Sequence, residues 1–118
     1  MKLEIHSVNS WNHPDIPTWE PEDPSDIAEE LILDIGQKGK KGADMFTLRI
    51  ATPAGLSKLS AKDGIVAVRP LLVIDRFDWH SLWAWLEKTV KSCEGETWPD
   101  CVHELRVHFL WEYEGMKP

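Results

Sequence analysis

Cysteine, tyrosine, basic residues and long apolar runs are all in short supply in this chain of 118 residues. Its two cysteines, Cys93 and Cys101, are too few for the disulfide framework of a small secreted domain and fit a reducing compartment. The longest run of branched aliphatic residues, Leu71 to Ile74, is strand-sized. Nothing approaches the roughly 18 uninterrupted apolar residues of a membrane-spanning helix. Met1-Lys2 is followed at once by an alternating segment with Glu4 and His6, not by the apolar core of a signal peptide, so the chain is expected to stay in the cytoplasm. Thirteen Lys and Arg stand against twenty Asp and Glu, a net charge of −7, with no long basic block. The surface that neutralises phosphates and supplies most nucleic-acid affinity is therefore missing, and neither nucleic acid nor an anionic membrane is an expected partner.

The length suits one compact domain over residues 1–118, able to bury roughly two-thirds of its unfolded surface without disulfides or a structural metal. The charge is unevenly spread. Residues 1–37 hold one base, Lys2, against nine acids and carry −8, whereas residues 38–118 hold twelve bases and eleven acids. The acidity of the whole chain sits in its first third.

Leu3 and Ile5 alternate with Glu4 and His6 as a half-buried strand, with Val8 off the strict period. Trp11 to Pro24 carries Pro14, Pro17, Pro21 and Pro24, a density that no helix or central strand survives. The segment from Ile27 to Ile35 has both a helix-like opening and a strand-like end. The strand is favoured, because the glycine- and lysine-rich turn Gly36 to Gly42 and the alternation of Met45 to Ile50 complete a hairpin. Thr52-Pro53 reads as a cap and first residue of a short helix to about Leu59, and Asp63-Gly64 as a turn. Ile65 to Val68 and, more strongly, Leu71 to Phe77 read as strands. The main helix is expected over about 78–93, capped by Asp78, with Trp79, Leu82, Trp83, Leu86, Val90 and Cys93 on one apolar stripe and Trp85 on its flank. Thr97 caps a second short helix to about Leu105, with Trp98 packed at its start, and Val107 to Glu114 alternates as a last strand. The architecture expected is α+β: an antiparallel sheet of five or six strands with the main helix on one face and two short helices.

Searches for reactive constellations return little. Gly36-x-x-Gly39-x-x-Gly42 has neither the spacing of a phosphate loop nor a helix after it. Cys93, Cys101, His103 and His108 lack the paired short spacings of a zinc site, so no metal and no cofactor is expected. Asp78, His80 and Ser81 share one helical turn and point to different sides, which rules out a relay. The remaining excess is tryptophan, seven among eleven aromatics. Trp79 and Trp83 fall on the core stripe, but Trp11, Trp19 and Trp85 do not, and tryptophan beside carboxylates is the composition of a protein-interface hot spot as well as of a loop anchor. Candidate partner-binding residues are accordingly Trp11, Trp19, Glu20, Glu22, Asp23, Asp26, Glu29, Glu30 and Trp85. A second reading is a small metal-dependent or hydrolytic enzyme using His103, His108 and the carboxylates near them.

Several segments together resemble the Immunity protein 8 family, immunity proteins of bacterial polymorphic toxin systems. They are Pro21-Glu22-Asp23-Pro24, the glycine-lysine turn ahead of Phe46, Thr52-Pro53 with Leu56, Cys93 to Trp98, and Trp111-Glu112-Tyr113-Glu114 through Lys117-Pro118. The resemblance covers nearly the whole chain. It implies a non-catalytic protein that binds a cognate toxin domain and occludes it. An acidic surface on such a protein suits a basic partner, because opposite charge speeds encounter.

Overall fold

The computed structural model describes residues 1–59, 61–62 and 64–115, with Ala61 and Lys62 described in backbone only. Strands β1 (Leu3–Ser10), β2 (Ala28–Gln37) and β3 (Ala43–Ala51) form an antiparallel meander. The expected hairpin is there: Ala28 faces Ala51 and Gly36 faces Ala43, and Gly39 takes the turn with φ 79°. Gly36 is required by close approach, since a Cβ on it would stand 2.1 Å from the Gly42 carbonyl oxygen. Leu31, Leu33 and Ile35 point to the same face as Phe46, Leu48 and Ile50, and all six are buried. Val8 joins that face despite its off-period position because β1 shifts register between Ile5 and Ser7, a bulge that resets the alternation by one residue.

Outside β3 the sheet is completed by β6 (Leu71–Val73), which pairs with Arg49 to Ala51, and β7 (Leu110–Trp111), which pairs with Phe46 and Thr47. The β6 pairing is parallel, the one such pairing among these strands. Strands β4 (Ala61–Lys62) and β5 (Ile65–Val66) form a separate small hairpin. Gly64 turns it at φ 74°, while Asp63, the other half of the expected turn, lies outside the described residues. Neither apolar stretch forms a strand along its whole expected length. Ile65 to Val68 pairs only at its first two residues, and Leu71 to Phe77 only over its first three.

Helices α1 (Trp79–Ser92) and α2 (Trp98–His108) complete the core. Leu82, Leu86, Thr89 and Val90 are the buried residues of α1, so its inward face is turned toward Trp85 and Thr89 relative to the expected stripe. Trp79 and Trp83 therefore stay half-buried and stack on each other at 5.7 Å. Asp78 occupies the cap position, but its carboxylate accepts from the Ser81 hydroxyl at 2.7 Å and from no backbone N–H of α1, so Asp78 and Ser81, three apart, share one side of the turn and do not point apart as expected. Thr97 is a true cap, its Oγ1 accepting from the Asp100 amide at 3.3 Å, and Trp98 sits half-buried at the helix start. The last strand is shorter than expected. Val107 and His108 belong to α2, because continuing the helix buries both Leu105 and Phe109, four residues apart on one stripe, and leaves Val107 65% exposed on the other side. The Thr52-Pro53 helix is a 3-10 turn over Ala54–Lys58, and the proline-rich loop holds one further 3-10 turn, Ile16–Thr18.

Just past α1, Glu94 closes one end of the sheet: its Oε2 accepts from the Leu3 amide at 2.8 Å, and its Oε1 lies 3.6 Å from Lys2 Nζ. The Leu3 bond first, and Lys2 after it, holds the Glu94 carboxyl below the usual glutamate range. A carboxyl lowered in the folded state stabilises the fold above its unfolded value and loses that contribution as pH falls through its folded one. Glu94→Gln is therefore expected to be less stable than the unaltered chain at pH 7 and to converge with it as pH drops from about 5 toward 3. Urea unfolding of both at the two ends of that range measures the difference.

Candidate functional site

The acidic segment is held in place by an aromatic and ionic clasp. Ile16 is fully buried and ties the proline-rich loop to the core. Trp19 lies half-buried between two rings, stacked on His13 at 3.9 Å and tilted against Phe77 at 5.0 Å. His13 Nε2 stands 3.0 Å from Glu29 Oε1, and Glu29 Oε2 accepts from Ser10 Oγ and more weakly from Asn12 Nδ2. On the other side Phe77 donates its amide to the Pro24 carbonyl at 2.7 Å. These contacts join the loop to the start of β2, which follows it, and to the residues just before α1, which are distant in sequence.

The clasp shapes a cleft of about 360 Å³ lined by Trp19, Pro21, Glu22, Asp23, Asp26, Ile27, Ala28, Glu29 and Lys58. Four carboxylates thus face one ammonium. Lys58 Nζ donates to the Asp26 carbonyl at 3.0 Å and lies 3.1 Å from Asp26 Oδ1, off the line of a good hydrogen bond, so it offsets charge without satisfying that oxygen. Asp23 accepts from the Ser25 hydroxyl and amide, which hold its carboxyl below the usual range and keep it ionised. Glu20, Glu22 and Asp23 are exposed.

Of the nine candidate residues, Trp19, Glu22, Asp23, Asp26 and Glu29 line this one cleft. Trp11, 73% exposed, and Glu20 flank it in sequence without lining it. Glu30 points to the opposite face of the sheet, where it pairs with Arg49 at 3.3 Å, and Trp85 lies on α1 beside β6. Sequence reasoning missed His13, Lys58 and Phe77, which position the acids. Nothing local marks His13 or Phe77; the only cue for Lys58 is its place on the turn that Thr52-Pro53 predicts.

The enzyme reading finds no assembled centre. His103 is exposed, and His108 packs against Phe109 at 6.2 Å. Cys93 Sγ donates to the Thr89 carbonyl, Cys101 Sγ accepts from the Gly95 amide, and both thiols are free and buried. Desolvation pushes the Cys93 thiol up, away from the reactive thiolate. Among the described residues no three of His, Cys, Asp and Glu come together as metal ligands.

Compared with known families, residues 3–116 match the sequence profile of Immunity protein 8. The chain belongs to the Immunity protein 8 family. It is thereby an immunity protein of a toxin system, and the acidic cleft is a feature of an Immunity protein 8 chain. No curated protein and no solved structure matches it. No helix among the described residues is long and apolar enough to cross a membrane.

Proposed function

We propose that this Immunity protein 8 chain neutralises its cognate toxin domain by binding and occluding it, without catalysis, and that the acidic face around Trp19 makes the first contact. The observation that carries the reading is the cleft itself, in which Glu22, Asp23, Asp26 and Glu29 surround a pinned tryptophan and, among the described residues, Lys58 alone brings an ammonium to the lining. Carboxylates on one face add their fields, and a partner with a basic surface is drawn toward that face before contact. Trp19 supplies rigid apolar surface in the cleft, and the exposed Trp11 and Glu20 flank it in sequence. An interface of ordinary size would cover about 800 Å² of this chain, well beyond the cleft alone. The binding takes place in the cytoplasm, a compartment that suits two free thiols.

Association kinetics test this. The on-rate for the cognate toxin domain is expected to fall steeply as salt rises from about 20 to 300 mM, since exposed charges are screened over about 10 Å at 0.1 M. Replacing Glu20, Glu22 and Asp23 together by alanine is expected to slow association about tenfold at low salt. The melting temperature should hardly move, because all three side chains are exposed. An on-rate indifferent to both salt and the triple replacement refutes the proposal.

A further inference from the structure

The two edges of the sheet are treated differently. The β1 edge is blunted along its length: Glu94 takes the Leu3 amide at one end, the register shift between Ile5 and Ser7 bends the middle, and Ser10 donates to the His13 carbonyl at the other end. The β6 edge has none of these devices. Arg49 donates to the Pro70 carbonyl and Ile74 to the Ala51 carbonyl, so residues 70, 72 and 74 turn their backbone groups toward β3. By alternation, the N–H and C=O of Leu71 and Val73 point away from the sheet, and among the described residues β6 pairs with β3 alone. This edge belongs to the longest branched-aliphatic run of the chain, and Val73 is 51% exposed. An unprotected apolar edge of this kind invites pairing with another strand.

Beside the edge runs a groove of about 560 Å³ between β6 and the first turns of α1, lined by Leu72, Ile74, Leu82 and Trp85 with Asp75 and Asp78 at its rim and Arg76 as its one cation. The segment that lines it leads to Phe77, which holds Pro24 and Trp19, so the groove and the acidic cleft are separate but anchored on neighbouring residues. We propose that the β6 edge and this groove receive an extended segment of the toxin domain, apolar on one face and followed by a basic residue, as an added strand. The inference rests on the toxin-binding reading above and specifies how part of the partner is held. Backbone pairing at Leu71 and Val73 supplies register, the apolar side chains of one face enter the groove under Trp85, and the basic residue beyond the paired stretch meets Asp75 and Asp78 at the rim. A second copy of the chain is disfavoured as occupant. A three-residue strand doubled on itself falls far short of about 800 Å² per partner, and a symmetric contact sets one acidic first third against another.

Residue-resolved hydrogen exchange of the unaltered chain, alone and with its cognate toxin domain, tests the assignment. The Val73 amide is expected to exchange quickly in the free chain and at least about tenfold more slowly in the complex. Val73→Pro removes only an outward N–H at an edge position and is expected to weaken binding at least about tenfold with the fold retained, whereas Val73→Thr keeps the N–H and binds normally. Unchanged Val73 exchange in a complex that still forms with a salt-dependent on-rate overturns strand addition and leaves the electrostatic reading standing. Absence of any complex overturns both. Protection already present in the free chain also overturns it: at monomer mass the β4–β5 hairpin covers the edge, and at dimer mass a second copy does. If Val73→Pro fails to fold, the exchange comparison on the unaltered chain decides alone.

Discussion

Thr52→Val is expected to cost about 3 kcal/mol of folding stability and about 10 °C in melting temperature, although the two side chains have the same shape. Thr52 is completely buried, and its Oγ1 accepts from the Ile27 amide at 3.0 Å and from the Gly55 amide at 3.1 Å. Valine leaves both donors in the core without a partner, at about 1–3 kcal/mol each. The Ile27 carbonyl keeps the Thr52 amide at 3.0 Å, so the backbone link persists and only the donors are stranded. Gly55→Ala attacks the same knot by a different route, since its Cβ would lie 1.8 Å from the Ile27 carbonyl oxygen and 3.0 Å from Thr52 Oγ1. Backbone stands in the way, no rotamer relieves it, and a loss at the upper end of the overpacking range, about 3 kcal/mol, is expected. Urea unfolding at pH 7 measures both. A Thr52→Val chain as stable as the parent would mean that water reaches Ile27 and Gly55 and that the knot is not sealed. The knot bears on the proposed function because Asp26 and Glu29 stand on either side of Ile27, and Lys58 ends the 3-10 turn whose Gly55 amide Thr52 holds.

Phe46→Ala is expected to cost more, about 4 kcal/mol, the scale of deleting a large ring from a rigid core. Phe46 is wholly buried, pairs with Leu33 on one side and Trp111 on the other, and meets Phe109 edge to face at 6.4 Å. The ring joins the meander, β7 and the end of α2, and no neighbour can follow a collapse toward one without leaving another. Val107→Ala makes the contrast. A strand running from Val107 would alternate it inward and make its loss costly, but on the outer side of α2 it should change stability by less than about 0.5 kcal/mol. Denaturant midpoints of the two variants, compared side by side, check the core and the helix boundary at once.

Features with a local cause could be read from the residues. The hairpin of β2 and β3 with its glycine turn, the main helix and the Thr97 cap each follow from spacing or from one side chain bonding its own neighbourhood, whereas the pairing of β1 with β2 does not. Features decided by distant packing could not. Val107 to Glu114 alternates like a strand, and only the burial of Leu105 and Phe109 against the sheet settles the first two residues as helix. Trp79 and Trp83 sit on an apolar stripe by spacing, yet α1 rolls to bury Leu82, Leu86 and Thr89, and the pair is left to stack on itself. For the site, composition alone located the acidic third of the chain. It could not show that Glu29 turns toward the loop and Glu30 to the far face, although that follows from adjacent positions on a strand once the strand is known. Nor could it foresee that Ile16, amid prolines, is as deeply buried as any core residue.

The β7 clasp sets an order on how the molecule opens. Met45 donates its amide to Glu112 and Trp111 donates its indole N–H to Asp44, each bond spanning 67 positions, while Arg106 and Glu114 pair beyond them. β7 is only two residues long, lies at the sheet edge and is held by few bonds, several of them exposed, so it belongs to the part of the molecule that opens first. β7 pairs with Phe46 and Thr47, whereas the acidic cleft borders Ala28 and Glu29, which pair with Ala51 and Ile50 at the other end of β3. Fraying that begins at the clasp therefore uncovers the ring of Phe46 before it disturbs Trp19 or its carboxylates. A protease or a rise in temperature meets the molecule first at the end remote from the acidic cleft.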